Sequence, residues 1–303
     1  MLPLFSNHFP IKLLQMKNIV LILLMFCSLG VLSQNKEAYK IFRGDGKISS
    51  YDTLLNACKD ADFIFFGELH DNPIAHWLEI ELTADLYKLR KNDLILGAEM
   101  FEADVQIILD EYLNGRIKSK DVEAEARIWT NYKTDYKPIV QFCKKNCVPF
   151  VATNIPHRYA AMVNKGGFEE LDSLSKEAKK FIAPLPIEYD ENIKCYKSML
   201  AMMDSTDEHY SKNIPKAQAI KDATMAYFIL EHFKKGQLFL HFNGSYHSNN
   251  REGIITYLKP EKKNYKVVVI NTESQENISE LSEEAKKTGD FVICVPESMT
   301  GSY

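Results

Sequence analysis

What this 303-residue chain lacks narrows its chemistry first. It has no excess of charge of either sign: 37 Lys+Arg against 41 Asp+Glu leave a formal net charge of −4. It has no basic stripe with interleaved aromatics, which argues against nucleic acid as a partner. It has neither an HExxH motif nor a nucleophile elbow, so two common hydrolase signatures are missing. It holds only six cysteines. With Cys27 set aside, Cys58, Cys143, Cys147, Cys195 and Cys294 remain, and an odd count does not build a full disulfide framework. Cys143 and Cys147 share a helical face by spacing, so one bridge is open to them in an oxidising compartment. Buried free thiols are the expected state. There is no internal repeat and no low-complexity tract.

The apolar run from Ile19 to Leu32, broken by Ser28 and Gly30, is short for a transmembrane helix, which needs ~20 apolar residues. Lys17 precedes it, and Val31-Leu32-Ser33 before Gln34 suits a signal peptidase. Residues 1–33 therefore read as a secretory signal, with Met16 as an alternative start. A membrane anchor is the other reading. Cys27 raises lipidation, but Met25 and Phe26 are bulky where a lipobox wants small residues. The remaining residues 34–303 suit one α/β domain with a helical insert over about 166–235.

What is present begins with short continuous apolar runs at residues 62–66, 93–97, 149–153, 237–242, 266–271 and 290–295. Such runs suit strands buried on both faces of a parallel sheet. Helical patterns lie between them, at 73–89, 104–113 and 138–145. Asn72-Pro73 supplies an N-cap and a proline at the first helical position. The middle of the chain reads as helices over 169–182, 190–204 and 215–235. The expected fold is α/β: a mainly parallel central sheet flanked by helices, with a helical lid inserted before the C-terminal strands.

Polar residues collect where the apolar runs end. Glu68 and His70 follow Phe63-Ile64-Phe65-Phe66, two apart on an extended segment, and so point the same way. Glu99 follows the second run. If consecutive strands are neighbours, Glu68 and Glu99 face one pocket. The third run leads to Asn154 and Arg158; the first can donate and accept, the second can fork onto a carboxylate. The fourth leads to Gly244-Ser245-Tyr246-His247. In open α/β sheets ligands bind at the carboxyl ends of strands, so Glu68, His70 and His247 are expected to converge. On the helix over 215–235, Gln218, Asp222 and Met225 share a face. That face is either exposed or packed on the strand tips, with Asp222 orienting a His or Arg. His241, inside a strand, reads as a satisfied core histidine. His76, His209 and His232 are not taken as site residues.

The motifs Gly67-Glu68-Leu69-His70-Asp71-Asn72-Pro73, Gly97-Ala98-Glu99-Met100-Phe101, Tyr136-Lys137-Pro138, Ala152-Thr153-Asn154-Ile155-Pro156, Gln218 through Ala226 and Gly244-Ser245-Tyr246-His247, in this order, resemble the ChaN-like haem-binding uptake lipoproteins. The resemblance spans about residues 62–257. It implies an α/β body with a helical lid, export to the bacterial envelope, haem as ligand and a role in iron acquisition. It leaves room for a homodimer and for an outer-membrane uptake receptor as partners. It is also similar to the erythromycin esterase, Tiki and TraB proteins, whose polar centre falls on Glu68, His70, Glu99 and His247. His157 stands where the family's Arg is expected, with Arg158 one place later. No motif fixes the haem ligand, so Tyr246, Tyr136 and His247 are candidates, with Arg158 and Asn154 as further haem contacts.

Three readings follow as expectations. One is haem binding at the envelope. Another is hydrolysis of an ester or amide, with Glu68 or Glu99 as general base and a divalent metal on Glu68, His70 and His247. A third is a scaffold whose polar centre only caps strands and helices.

Overall fold

The computed structural model describes residues 36–202, 211–259 and 263–303. The proposed export signal, Cys27, His209 and the end of the helix expected over 190–204 lie outside these. The chain divides into two units, Met1–Glu37 and Ala38–Tyr303, and the second carries the sheet and its helices.

Eight strands form one sheet: β1 (Lys40–Arg43), β2 (Ile48–Ser49), β3 (Phe63–Glu68), β4 (Leu94–Glu102), β5 (Phe150–Asn154), β6 (Leu238–Gly244), β7 (Val267–Gln275) and β8 (Phe291–Pro296). All six apolar runs became strands. Every residue of β3, β5 and β6 is buried, as two-sided burial of a parallel sheet requires. The helices are α1 (Tyr51–Cys58), α2 (Pro73–Arg90), α3 (Gln106–Leu113), α4 (Ser119–Glu125), α5 (Lys137–Asn146), α6 (His157–Gly166), α7 (Lys194–Met202), α8 (Ile214–His232) and α9 (Ile254–Leu258). Among the described residues no helix is long and apolar enough to cross a membrane.

The strand order is β2-β1-β8-β7-β3-β6-β4-β5. From β8 to β5 every pair is parallel, and β1 is antiparallel to both its neighbours. The expectation that β3 and β4 are adjacent is overturned, because β6 lies between them. The chain leaves β3 toward β5 and skips one place; the late strand β6 fills that gap and the chain then turns to the other side of β3. This reversal opens a crevice over the tips of β3, β6 and β4.

Two cores sandwich the sheet. Leu78, Leu82 and Leu86 of α2 pack with Leu109, Ile139 and Phe66 on one face. Met225, Ala226 and Ile229 of α8 pack with Ile254, Phe65 and Val269 on the other. The first expected lid helix, over 169–182, is not an α-helix; two short 3₁₀ turns, Phe168–Ser173 and Ala178–Phe181, stand there. Ser173 Oγ donates to the Glu170 carbonyl at 2.7 Å and Ser175 Oγ accepts from Ala178 N–H at 3.2 Å. These local bonds compete with the helical ladder. The other two became α7 and α8. The five described cysteines are free, with Cys147 exposed and the rest buried.

Candidate functional site

The site is built from the ends of four parallel strands. After β3 the chain turns into α2, whose N-cap Asn72 accepts from Ile74 and Ala75 N–H at 3.0 Å each. That turn fixes His70. Its Nδ1 donates to Glu68 Oε1 at 2.7 Å, and the Tyr136 hydroxyl donates to the same oxygen at 2.6 Å. Tyr136 closes a single π turn, Tyr132–Tyr136; such turns are frequent at functional sites. Trp129 meets the His70 ring edge-on, centroids 4.8 Å apart.

On β4 the pairing with β5 shifts between Ala98 and Glu102. Irregularities of this kind re-aim side chains near sites, and Glu99 sits within this one. Its Oε2 accepts from Gly244 N–H at 2.8 Å. Its Oε1 lies 3.0 Å from His247 Nε2. The other ring nitrogen, Nδ1, lies 2.5 Å from Asp222 Oδ1. Asp222 is in turn held by the Tyr196 hydroxyl at 2.8 Å. Both ring nitrogens of His247 therefore face carboxylates, which only accept. Both must carry hydrogen, and His247 is an imidazolium.

The electrostatics agree. Burial works against a charged His247, but Glu99 and Asp222 outweigh it and raise its pKa to about 9. Burial alone would raise Glu99; the His247 charge and hydrogen bond hold it well below the usual carboxylate range instead. Asp222 goes the other way: burial raises it despite His247. Burial opposes charge on His70 too, yet its bond to Glu68 and the Glu99 charge raise its pKa. The Gln218 amide lies 3.0 Å from Nδ1 and 3.1 Å from Nε2 of His247. With both nitrogens already engaged, this is a contact across the ring.

These groups border a cleft of about 550 Å³. His70, Glu99, His247, Asn154 and Tyr246 line it, joined by Trp129, Met199 and Lys221. Asn154 Nδ2 donates to the Glu99 carbonyl at 2.9 Å, and its buried Oδ1 has no hydrogen-bond partner. Gly244 is required here, because a Cβ would stand 2.6 Å from His70 Nε2. A larger groove of about 630 Å³ lies along residues such as Phe168, Ile182 and Pro186, away from this polar centre.

The structure brings Glu99, His247, His70, Asn154 and Tyr246 to one cleft, with Glu68 directly behind His70. It does not bring Tyr136 there; that ring is buried and its hydroxyl is committed to Glu68. Nor does it bring Arg158, which pairs with Asp104 at 2.8 Å and stacks on Tyr159 outside the cleft lining. Among the described residues the carboxylate and imidazole atoms that converge within 4.8 Å are those of Glu68, His76 and Glu79. They are not those of Glu68, His70 and His247. The open question about α8 resolves toward packing on the strand tips: Asp222 is fully buried on His247, while Met225 belongs to the core.

Lys221, Trp129 and Tyr196 were not anticipated, nor were His76 and Glu79. The last two had a signal. His76, Glu79 and Thr83 recur at helical spacing beside Leu78, Leu82 and Leu86, and all are buried; polar residues on a buried face need partners.

Comparison with known proteins agrees with this architecture. The solved structure described as cofacial heme binding to ChaN of Campylobacter jejuni aligns with a TM-score of 0.65 at 18% identity, covering 86% of this chain and 97% of that one. At that identity the likeness shows the fold. Among curated proteins, the chloroplastic RETICULATA-RELATED 5 of Arabidopsis thaliana is 25% identical over 147 residues, 46% of this chain. The chain spans only 19% of that relative's length. The family described as haem-binding uptake, Tiki superfamily, ChaN matches residues 54–258, more than half of the chain, and the protein belongs to it.

Proposed function

We propose that the protein binds haem in the cleft over the strand tips and serves haem or iron uptake at the bacterial envelope. The observation that carries this is the cleft itself, in a chain of the haem-binding uptake family. Its volume of about 550 Å³ falls in the range of small-molecule and cofactor sites. Trp129, Met199 and Tyr246 give it aromatic and soft walls, suited to a flat apolar macrocycle. Haem is the cargo here. Tyr246, half exposed at the rim, offers a phenolic oxygen of the kind that ligates haem iron. His247 is a poorer ligand, since both its nitrogens are bound to carboxylates. Lys221 supplies positive charge for the propionates, and the unpaired Asn154 Oδ1 offers an acceptor. The apolar run Ile19–Leu32 supports export. A homodimer around haem and an outer-membrane receptor are the partners this reading calls for.

Titration of haemin into the purified protein tests it. The expected result is a shifted Soret band at micromolar haemin, altered in Tyr246→Phe. No Soret shift, with the fold intact by circular dichroism, overturns the reading.

A second reading, hydrolysis, is favoured by the His247 clamp, which haem binding does not call for. In it Glu99 is a poor base, because a good base has a pKa near the working pH and Glu99 lies far below. His70 is then the group facing the cleft that exchanges a proton. Ester hydrolysis lost in His70→Gln supports this reading; equal rates in both proteins remove it.

A further inference from the structure

Behind the cleft, on the far side of Glu68 from His70, lies a second polar cluster that neither reading uses. It is made where α2 crosses the end of β3. His76 and Glu79 stand one turn apart on the buried face of α2 and meet Glu68. Exposure of the three residues is 5% or less.

The hydrogen bonds fix the His76 tautomer. Nε2 lies 3.0 Å from the His70 carbonyl oxygen and 3.5 Å from Asp135 Oδ2. The carbonyl can only accept. Asp135 Oδ2 already accepts from Asn131 Nδ2 at 2.8 Å and from Ser302 Oγ at 2.6 Å. Nε2 therefore carries hydrogen. Nδ1 faces Glu79 Oε2 at 3.2 Å and Glu68 Oε2 at 3.8 Å. Glu68 Oε1 is taken by His70 and Tyr136. Glu68 Oε2 and Glu79 Oε1 are buried with no hydrogen-bond partner. An imidazole nitrogen and two carboxylates thus converge in a buried space, with acceptor atoms left over. Bringing such groups together away from water is costly unless a cation lies between them.

We propose that Glu68, His76 and Glu79 form a closed binding site for one divalent transition-metal ion of the zinc or manganese type, joining α2 to β3 behind the cleft. The spacing fits: ligands roughly 2.0–2.2 Å from a tetrahedral ion stand about 3.3–3.6 Å apart, and the observed 3.2 and 3.8 Å bracket that edge. The His70 carbonyl, 3.0 Å from Nε2, is the kind of acceptor that orients a metal-bound histidine from behind. A mixed nitrogen and oxygen set from three residues disfavours calcium and magnesium, which take six or more oxygens. This set differs from one on His70 and His247, and it does not depend on haem binding.

The rival occupant is protons, shared between His76 and the two carboxylates. Metal retention separates the two. The full chain is stripped with a chelator, dialysed against Zn²⁺ or Mn²⁺, desalted, and assayed for metal per chain and for melting temperature. The expected result is one retained equivalent, a higher melting temperature when loaded, and loss of retention in Glu79→Gln but not in His70→Gln. If Glu79→Gln does not fold, X-ray absorption of the zinc-loaded native chain reads the ligands directly, and one imidazole with carboxylate oxygens and no sulfur is expected. The proposal falls if folded native protein retains neither ion and its melting is unchanged. It also falls if retention is lost in His70→Gln and kept in Glu79→Gln, which places the ion in the cleft.

Discussion

His241 and His247 belong to one stretch of chain and are both buried, yet they are driven to opposite charge states. His241 lies within β6. Its Nδ1 donates to Asn243 Oδ1 at 3.0 Å, and its Nε2 lies 2.8 Å from Thr153 Oγ1, whose hydroxyl donates to the Ala98 carbonyl at 2.9 Å. Its partners are neutral, so burial prevails and pushes its pKa down to about 4. His247 lies just past the strand's end, between Glu99 and Asp222, and is raised to about 9. Burial sets the cost of a charge, and the neighbours decide whether it is met. The core histidine is a filler; the tip histidine is the cation of a buried three-member ion cluster on the cleft floor.

The sharpest way to break this comparison is to remove each ring. His247→Leu leaves Glu99 and Asp222 facing each other without a cation. An uncompensated buried charge costs about 3–5 kcal/mol, to be read by urea unfolding at pH 7. His241→Leu leaves only neutral partners unpaired and is expected to cost about 1–3 kcal/mol. Equal losses would refute an ionic clamp.

The pH profile sharpens the contrast. His247 has a folded pKa raised from 6.5 to about 9. Its contribution is fully present below pH 6.5 and is lost as pH rises through about 9. His241 has a folded pKa lowered from 6.5 to about 4. The stability tied to its neutral form is present above 6.5 and is lost as pH falls toward about 4. Each effect is about 3 kcal/mol at most, from 1.36 kcal/mol per pKa unit. Stability of the native chain minus that of His247→Gln should decline on the alkaline side. The same difference for His241→Gln should decline on the acid side. Matching slopes would erase the distinction.

Smaller effects probe what supports each ring. Gly244→Ala places a Cβ 2.6 Å from His70 Nε2, and overpacking of this kind costs about 1–3 kcal/mol. It should also weaken haemin binding, checked by the Soret titration. Thr153→Val removes the hydroxyl at His241 and should cost about 1 kcal/mol in thermal unfolding, with the cleft and its ligand unaffected.

The legible part of the molecule was its frame. Continuous apolar runs marked six strands, since two-sided burial leaves no room for alternation. Asn72-Pro73 marked the start of α2 because capping is decided by neighbouring residues. The tips carrying Glu68, His70, Glu99 and His247 were legible for the same reason: polar residues interrupt an apolar run abruptly. The two short strands β1 and β2 were missed, being too short to carry a pattern. The helix expected over 169–182 was lost to serine side chains that bond their own backbone.

The sequence by itself determined which segments are buried strands, which residues stand at their ends, and that an α/β sheet presents them on one rim. Only the tertiary structure decided who meets whom. The insertion of β6 between β3 and β4 set His247 against Glu99, and the packing of α8 added Asp222 on the other side. The crossing of α2 over β3 gathered Glu68, His76 and Glu79 into a sealed cluster. Strand and cap signals arise from residues adjacent in the chain. A charge state arises from whichever groups fold to within a few ångströms, and no local pattern encodes that.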